Sequence, residues 1–167
     1  TLVQTAKGGF GYRRQILEFD IGGTDTTSAL TVAESGAMVR IDGSNAYNGI
    51  ITLPAVASDA EAGVFYEFIV TTALQTSKTV KIKTNSHASG TDNDIITLYS
   101  FDADSGTAAG VLTATAPSGG NDIITIGAAA AAGTVVKVQN VVGGTAEQWV
   151  AYAYVPDSTT TTTVGSS

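Results

Sequence analysis

Apolar and polar positions alternate over short segments of this chain, and clusters of Gly, Asn, Asp and Ser separate these segments. Runs rich in Val, Ile, Thr and aromatic residues between such clusters are typical of strands in all-β proteins. The pattern predicts strands at Tyr12–Ile21, Ala37–Asp42, Gly49–Leu53, Val64–Ala73, Thr79–Thr84, Asp94–Phe101, Val111–Ala116, Asp122–Ile126, Thr134–Val142 and Gln148–Val155. We therefore expect an all-β fold, either an antiparallel β-sandwich or a β-barrel.

Two of the predicted strands alternate clearly enough to assign their faces. In Thr79–Thr84 the valine and isoleucine face one way and two lysines face the other, so one face of this strand is predicted to be exposed to solvent. This lysine face is either solvated, protective of a sheet edge, or in contact with an acidic neighbour. In the last strand Tyr152 and Tyr154 share a face, and Trp149 lies on the opposite face, where small alanines leave room for the indole.

Only two segments carry a helical signal. Ala55–Ala62 could form one or two turns, with Gly63 as the residue that ends them. Ala128–Ala132 has high helix propensity but is too short to nucleate a helix alone, so a compact loop is an equal alternative.

The two ends of the chain differ in composition from its middle. Residues 1–14 carry Lys7, Arg13 and Arg14, and we predict an extended basic N-terminal arm there. Residues 157–167 include five consecutive threonines and cannot build a core, so we predict a Thr-rich C-terminal tail. Residues 15–156 between them are long enough to form a single all-β domain.

The composition disfavours several classes of protein. With 8 basic and 15 acidic residues the net charge is −7, which argues against a nucleic-acid binder. The chain has no cysteine, which excludes disulfides, thiolate metal sites and thiol catalysis. No apolar stretch approaches the roughly 18 residues of a membrane span, so we expect no membrane partner.

Charged residues make up 14% of the chain, against about 25% in average soluble domains. A chain with so few charges usually covers part of its surface with other subunits, so we expect a homo-oligomer.

Candidate catalytic and metal-binding groups are few. His87 is the only histidine and lies in a segment with loop composition, where a solvated side chain is the simpler interpretation. Asp102 and Asp104 open a segment like a calcium-binding loop, but a third oxygen ligand is missing and Thr113 stands at the twelfth position. A polar turn is the simpler interpretation of this segment. With no other candidate group in the sequence, we expect no enzyme activity, no metal and no cofactor.

The aromatic residues permit two interpretations. They could line a carbohydrate-binding surface, but aromatic side chains in strands more often belong to the core. The residues concerned are Phe65, Tyr66, Phe68, Tyr99, Phe101, Trp149, Tyr152 and Tyr154.

The order of motifs through the middle of the chain resembles a recurrent β-domain of tailed-bacteriophage virion proteins. A Leu-Thr start with a later Ser-Gly is followed by a Thr-Leu-Pro-Ala strand, an aromatic-x-Phe-x-Val strand and a closing Trp strand. The segments that carry the resemblance are Leu30–Gly36, Met38–Asp42, Gly49–Ala55, Ala62–Gly63, Tyr66–Val70 and Gly144–Val150. Between Thr71 and Gly133 the loop lengths depart from the family pattern.

The resemblance implies a function. Such proteins are commonly head decoration (cement) proteins that brace the outer capsid surface, often as trimers. We therefore expect a non-enzymatic structural virion protein on the outer capsid surface, whose partners are itself, as a trimer, and the major capsid protein. Related domains occur in head and tail fibres, so a receptor- or glycan-binding module with an aromatic platform is the alternative. A hydrolytic tailspike domain would require two close carboxylates in a groove.

The two ends of the chain supply candidate contact residues for the decoration hypothesis. Lys7, Arg13 and Arg14 would dock onto an acidic part of the shell. Thr160, Thr161 and Thr162 would pair along an exposed sheet edge of a neighbouring subunit, because threonine favours strands and its backbone would gain ladder hydrogen bonds.

Overall fold

The structure, a computed structural model, describes residues 2–4, 10–12, 14–21, 23–58, 61–85, 95–102, 111–115, 122–128, 130–143, 147–156 and 162–165. These residues form strands joined by turns, with one short 3-10 turn at Val32–Glu34. The strands are β1 (Leu2–Gln4), β2 (Phe10–Tyr12), β3 (Ile16–Asp20), β4 (Thr26–Ala29), β5 (Met38–Asp42), β6 (Gly49–Thr52), β7 (Phe65–Thr72), β8 (Val80–Lys83), β9 (Ile95–Asp102), β10 (Val111–Thr115), β11 (Ile123–Ile126), β12 (Val135–Val142), β13 (Gln148–Val155) and β14 (Thr162–Gly165). The fold is all-β, as the sequence pattern predicted.

The described strands make two large sheets and a small hairpin. One sheet has seven strands in the order β10-β9-β13-β12-β7-β5-β3, and the other has five in the order β14-β11-β8-β6-β4. The hairpin pairs β1 with β2. Strands β3 and β4 are consecutive in the chain. Strand β3 lies at an edge of the seven-stranded sheet, and β4 lies at an edge of the five-stranded sheet.

The expectation of antiparallel sheets is wrong, because both large sheets are mixed. Strand β5 runs parallel to β3 and to β7, β6 runs parallel to β4 and to β8, and β13 runs parallel to β9. From β3 to β8 the chain alternates between the two sheets at every strand. Strands that are neighbours in one sheet are therefore two apart in the chain, and they enter the sheet from the same end.

One hydrophobic cluster takes residues from both sheets. The seven-stranded sheet contributes Val39, Phe68 and Val136, and the five-stranded sheet contributes Ile51 and Ile82, all at most 2% exposed. Trp149 is fully buried on the alanine-bearing face of β13, as its spacing predicted.

The segment predicted as one or two helical turns contains a single tight turn in its described part: Glu61 N donates to the Ser58 carbonyl at 3.0 Å, and Gly63 follows with a φ of +97°. Pro54–Ser58 has no regular structure, and residues 59–60 lie outside the described part. Two carboxylates bind the backbone of this segment: Val56 N donates to Glu147 Oε2 at 3.2 Å and Ala57 N donates to Glu61 Oε2 at 3.1 Å. These bonds fix the first part of the segment, which is an open loop. The described residues of Ala128–Ala132 form a loop, one of the two alternatives for that segment.

Both ends of the chain contain paired strands. In the segment predicted as an extended arm, β1 and β2 fold back on each other as a hairpin, with Leu2 opposite Tyr12. In the predicted tail, Thr162 begins β14, which pairs with β11 of the same chain. At Thr162 the sheet edge that the tail extends is therefore its own.

Candidate functional site

The outer face of the seven-stranded sheet carries aromatic and charged side chains side by side. The strand registers place Tyr152 of β13 opposite Lys137 of β12, and Lys137 opposite Glu67 of β7. Phe65 lies two residues before Glu67 on the same face, opposite Gln139. We name the depression between these side chains the cationic trough; it is lined by Arg14, Phe65, Glu67, Lys137, Gln139 and Tyr152 and encloses about 350 Å³.

Arg14 reaches the trough from the segment that precedes β3. The main chain is fixed here because Met38 N donates to the Gln15 carbonyl at 2.8 Å. Arg14 Nε then donates to the Gly36 carbonyl at 3.0 Å, and its NH1 donates to Glu67 Oε2 at 2.8 Å. The residue predicted as part of a basic arm therefore lies against its own sheet.

Glu67 is shared by two cations. Lys137 Nζ lies 3.3 Å from the Glu67 Oε2 atom that Arg14 also binds. Burial by itself raises the pKa of Glu67, but the hydrogen bonds and charges of Arg14 and Lys137 outweigh it and hold this pKa below its ordinary value. Two cations against one carboxylate leave the trough with one net positive charge, in a protein whose net charge is −7.

Two aromatic rings bound the trough. Phe65 is 45% exposed and Tyr152 is 50% exposed. The Tyr152 ring stacks on Tyr99, with 5.3 Å between the ring centroids and 16° between the planes. This stack fixes the orientation of Tyr152 while leaving half of the residue accessible.

The structure divides the aromatic residues between the two interpretations that the sequence left open. Core positions are taken by Tyr66, Phe68 and Trp149, whereas Phe65, Tyr152 and Tyr154 are exposed. The Tyr66 hydroxyl donates to the Thr31 carbonyl at 2.7 Å, and burial raises the pKa of this tyrosine. The phase of alternation predicted the two tyrosine positions on β13. The same alternation along β7 separates exposed Phe65 from buried Tyr66.

A second candidate site is the free edge of β4. Thr26 N donates to the Asn48 carbonyl at 3.0 Å and Leu30 N donates to the Thr52 carbonyl at 2.9 Å. Since backbone groups alternate along a strand, the N–H groups of Thr27 and Ala29 point away from β6. No described strand pairs with β4 on that side, and its residues Thr-Thr-Ser-Ala carry no charge.

The β4 edge borders a small cavity. Ser28 is exposed, although its partner Ile51 in β6 is 1% exposed and belongs to the core. The cavity, of about 150 Å³, lies between β3 and β4 and is lined among others by Leu17, Phe19 and Ile51. Apolar side chains of both sheets therefore line a cavity next to the β4 edge, while Phe19 and Ile51 themselves remain buried.

Strand β3, the edge of the other sheet, has a different character. Its exposed positions include Glu18 and Asp20, and Arg40 NH1 donates to Glu18 Oε1 at 2.7 Å. Charged side chains on an edge strand oppose pairing with another chain. The two neighbouring edges therefore differ, one protected by charge and the other uncharged.

A buried carboxylate next to the core has a structural role. Glu147 is 7% exposed; its Oε1 accepts a hydrogen bond from Trp149 Nε1, and its Oε2 accepts the bond from Val56 N. Both oxygens are engaged in fixing neighbouring segments. The role of Glu147 could not be predicted from the sequence, because only the fold reveals that it is buried.

The remaining candidate residues fall at several places. Lys7, Arg13, Thr160, Thr161, His87 and Asp104 lie outside the described residues, as does the side chain of Asp102. Lys81 and Lys83 lie on β8, which has β11 on one side and β6 on the other, so they do not protect a sheet edge. Among the described residues, no three metal-ligating side chains form a group. In the same part of the chain, no helix has the length and apolar character needed to cross a membrane.

Comparisons of the chain with protein-family models, with curated proteins and with solved structures found no match.

Proposed function

We propose that this protein is a non-enzymatic structural protein that joins a larger assembly through the free edge of β4. The observation that supports this most directly is the chemistry of that edge, which offers unpaired backbone groups and no charge at Thr26–Ala29. An exposed uncharged edge strand is a template for adding a strand from another chain.

The charged edge strand β3 differs from β4, and this difference supports β4 as the interface. Glu18 and Asp20 protect the β3 edge, whereas the adjacent β4 edge has no such protection. We infer that the occupant of the β4 edge is an extended segment of a second copy of this chain. An uncharged strand adds no buried charge when two copies with net charge −7 meet.

We infer further that the two large sheets pack face to face as a β-sandwich. Buried residues of both sheets form one cluster, and Phe19 of β3 reaches the position of Gly49 in β6 of the other sheet. In this arrangement the open side of the sandwich lies between β3 and β4, next to the proposed interface.

The assembly we propose is a bacteriophage capsid, decorated on its outer surface. This part of the proposal rests on the order of the segments that resemble phage virion β-domains, from Leu30–Gly36 to the Trp149 strand. The expected partners are further copies of the protein, as a trimer, and the major capsid protein.

Titration of the purified protein onto undecorated capsids tests this proposal. Wild-type protein is expected to saturate at a fixed number of copies per major capsid subunit. Thr27→Pro removes an outward-facing N–H without removing a bond to β6, and is expected to reduce the bound copies strongly. Thr27→Val keeps the N–H and serves as the matched control. No saturable binding by the wild type, or equal binding by both variants, would contradict the proposal.

A further inference from the structure

We propose that the cationic trough is a binding site for a carboxylate-bearing sugar. The site goes beyond the proposed function, because it lies on the outer face of the seven-stranded sheet and uses no residue of β4. Its charge and its aromatic walls each support this ligand class.

The charge of the trough favours an anion. Glu67 is contacted by both Arg14 NH1 and Lys137 Nζ, so one carboxylate neutralises one of two positive charges. Lys137 is 60% exposed at its side chain and has three N–H donors, of which the contact with Glu67 needs one. A ligand carboxylate entering beside Lys137 would complete an alternating arrangement of two cations and two anions.

The aromatic walls favour a ring with an apolar face. Phe65 and Tyr152 lie on strands two apart in the sheet, so their positions are separated by about 10 Å across the strands. The volume of about 350 Å³ between them is in the range of small-molecule sites. The C–H face of a pyranose can pack on the Tyr152 ring, which Tyr99 holds in place. Gln139 adds an amide that can bind a sugar hydroxyl.

The strands beneath the trough exclude strand addition by a peptide. Strands β7 and β12 are interior strands, with hydrogen-bonded neighbours on both sides. β13, between β12 and β9, is interior as well. A peptide that adds to a sheet needs a free edge, which these strands do not offer. Recognition at the trough therefore depends on the side chains that line it.

Calorimetric titration with carboxylated glycans tests the site, using oligogalacturonates, hyaluronan fragments and sialyllactose as probes. At least one is expected to bind saturably, and its methyl ester, which lacks the charge, is expected to bind at least about tenfold more weakly. Tyr152→Ala and Lys137→Met are each expected to weaken binding by about tenfold or more. Tyr154→Ala is the matched control, because Tyr154 is similarly exposed at 44% and does not line the trough; its affinity should stay within about twofold.

Three results would overturn the proposal: no binding to any of the probes, equal binding of acid and ester, or equal losses in the Tyr152 and Tyr154 variants. Thermal unfolding of each variant checks that the fold is retained. None of these outcomes affects the β4 edge, which the Thr27 variants test on capsids.

Discussion

The Arg14 guanidinium binds the Glu67 carboxylate at 2.8 Å, although the two residues are 53 positions apart in the chain. This bond joins the segment before the edge strand β3 to β7, two strands further into the sheet. Arg14, the last residue of the predicted basic arm, therefore lines the cationic trough on the surface of the sheet. Together with Lys137, it holds the pKa of Glu67 below its ordinary value.

The first prediction concerns the pH dependence of stability. The pKa of Glu67 is held below its ordinary value of 4.5, so its ionised form stabilises the fold above that pH. This contribution is lost as the pH falls through the lowered pKa. Glu67→Gln should reduce the free energy of unfolding near neutral pH, and the difference from wild type should shrink in acid. Urea unfolding at about pH 7 and about pH 3 measures both effects.

Glu18→Gln provides the control for this prediction. Glu18 pairs with Arg40, but both side chains are well exposed, at 61% and 45%. Removing this pair should change stability by less than about 1 kcal/mol. An equal loss in the two variants would show that the shared position of Glu67 between two cations has no special effect.

The second prediction concerns the buried carboxylate of Glu147. Glu147→Ala leaves Trp149 Nε1–H and Val56 N–H without their acceptor in a buried site. The expected loss in free energy of unfolding is about 1–3 kcal/mol for each unsatisfied group. Glu61→Ala is the control, because the exposed Ala57 N–H that binds Glu61 can donate its hydrogen bond to water instead. Chemical denaturation should separate the two variants clearly, and equal losses would contradict the structural role of Glu147.

The third prediction concerns the contact between the sheets at Gly49. A Cβ atom at this position would lie 2.6 Å from Phe19 Cε1 and 3.3 Å from a Val80 methyl. Gly49→Ala should therefore lower the free energy of unfolding by about 1–3 kcal/mol through overpacking. Gly23→Ala is the control, since a Cβ there has no heavy atom within 4 Å. A stable Gly49→Ala variant would argue that β3 and β6 do not pack as closely as described.

Much of the strand content could be predicted from the sequence because alternation identifies strands and their faces. It placed Tyr152 and Trp149 on opposite sides of β13, as found. It did not predict β4, because Thr-Thr-Ser-Ala has no apolar alternation and the strand lies at an exposed edge.

The alternation of apolar and polar residues could not predict how the strands pair or that the cationic trough forms. Alternation assigns a residue to a face but does not specify the neighbouring strand, so the parallel pairs were missed. The meeting of Lys137 with Glu67 depends on the register between β12 and β7. The approach of Arg14 depends on the position of β3 beside β5. These are tertiary relationships between segments far apart in the chain.

Residue-resolved amide hydrogen exchange tests most directly whether β4 receives another chain. The amides of Thr26 and Leu30 bind the carbonyls of Asn48 and Thr52, before and at the end of β6, and should be protected both in dilute protein and in the assembled state. The amides of Thr27 and Ala29 should exchange rapidly in dilute protein and become protected on assembly. Rapid exchange of Thr27 and Ala29 in an assembly of proven size would contradict the proposed role of the β4 edge.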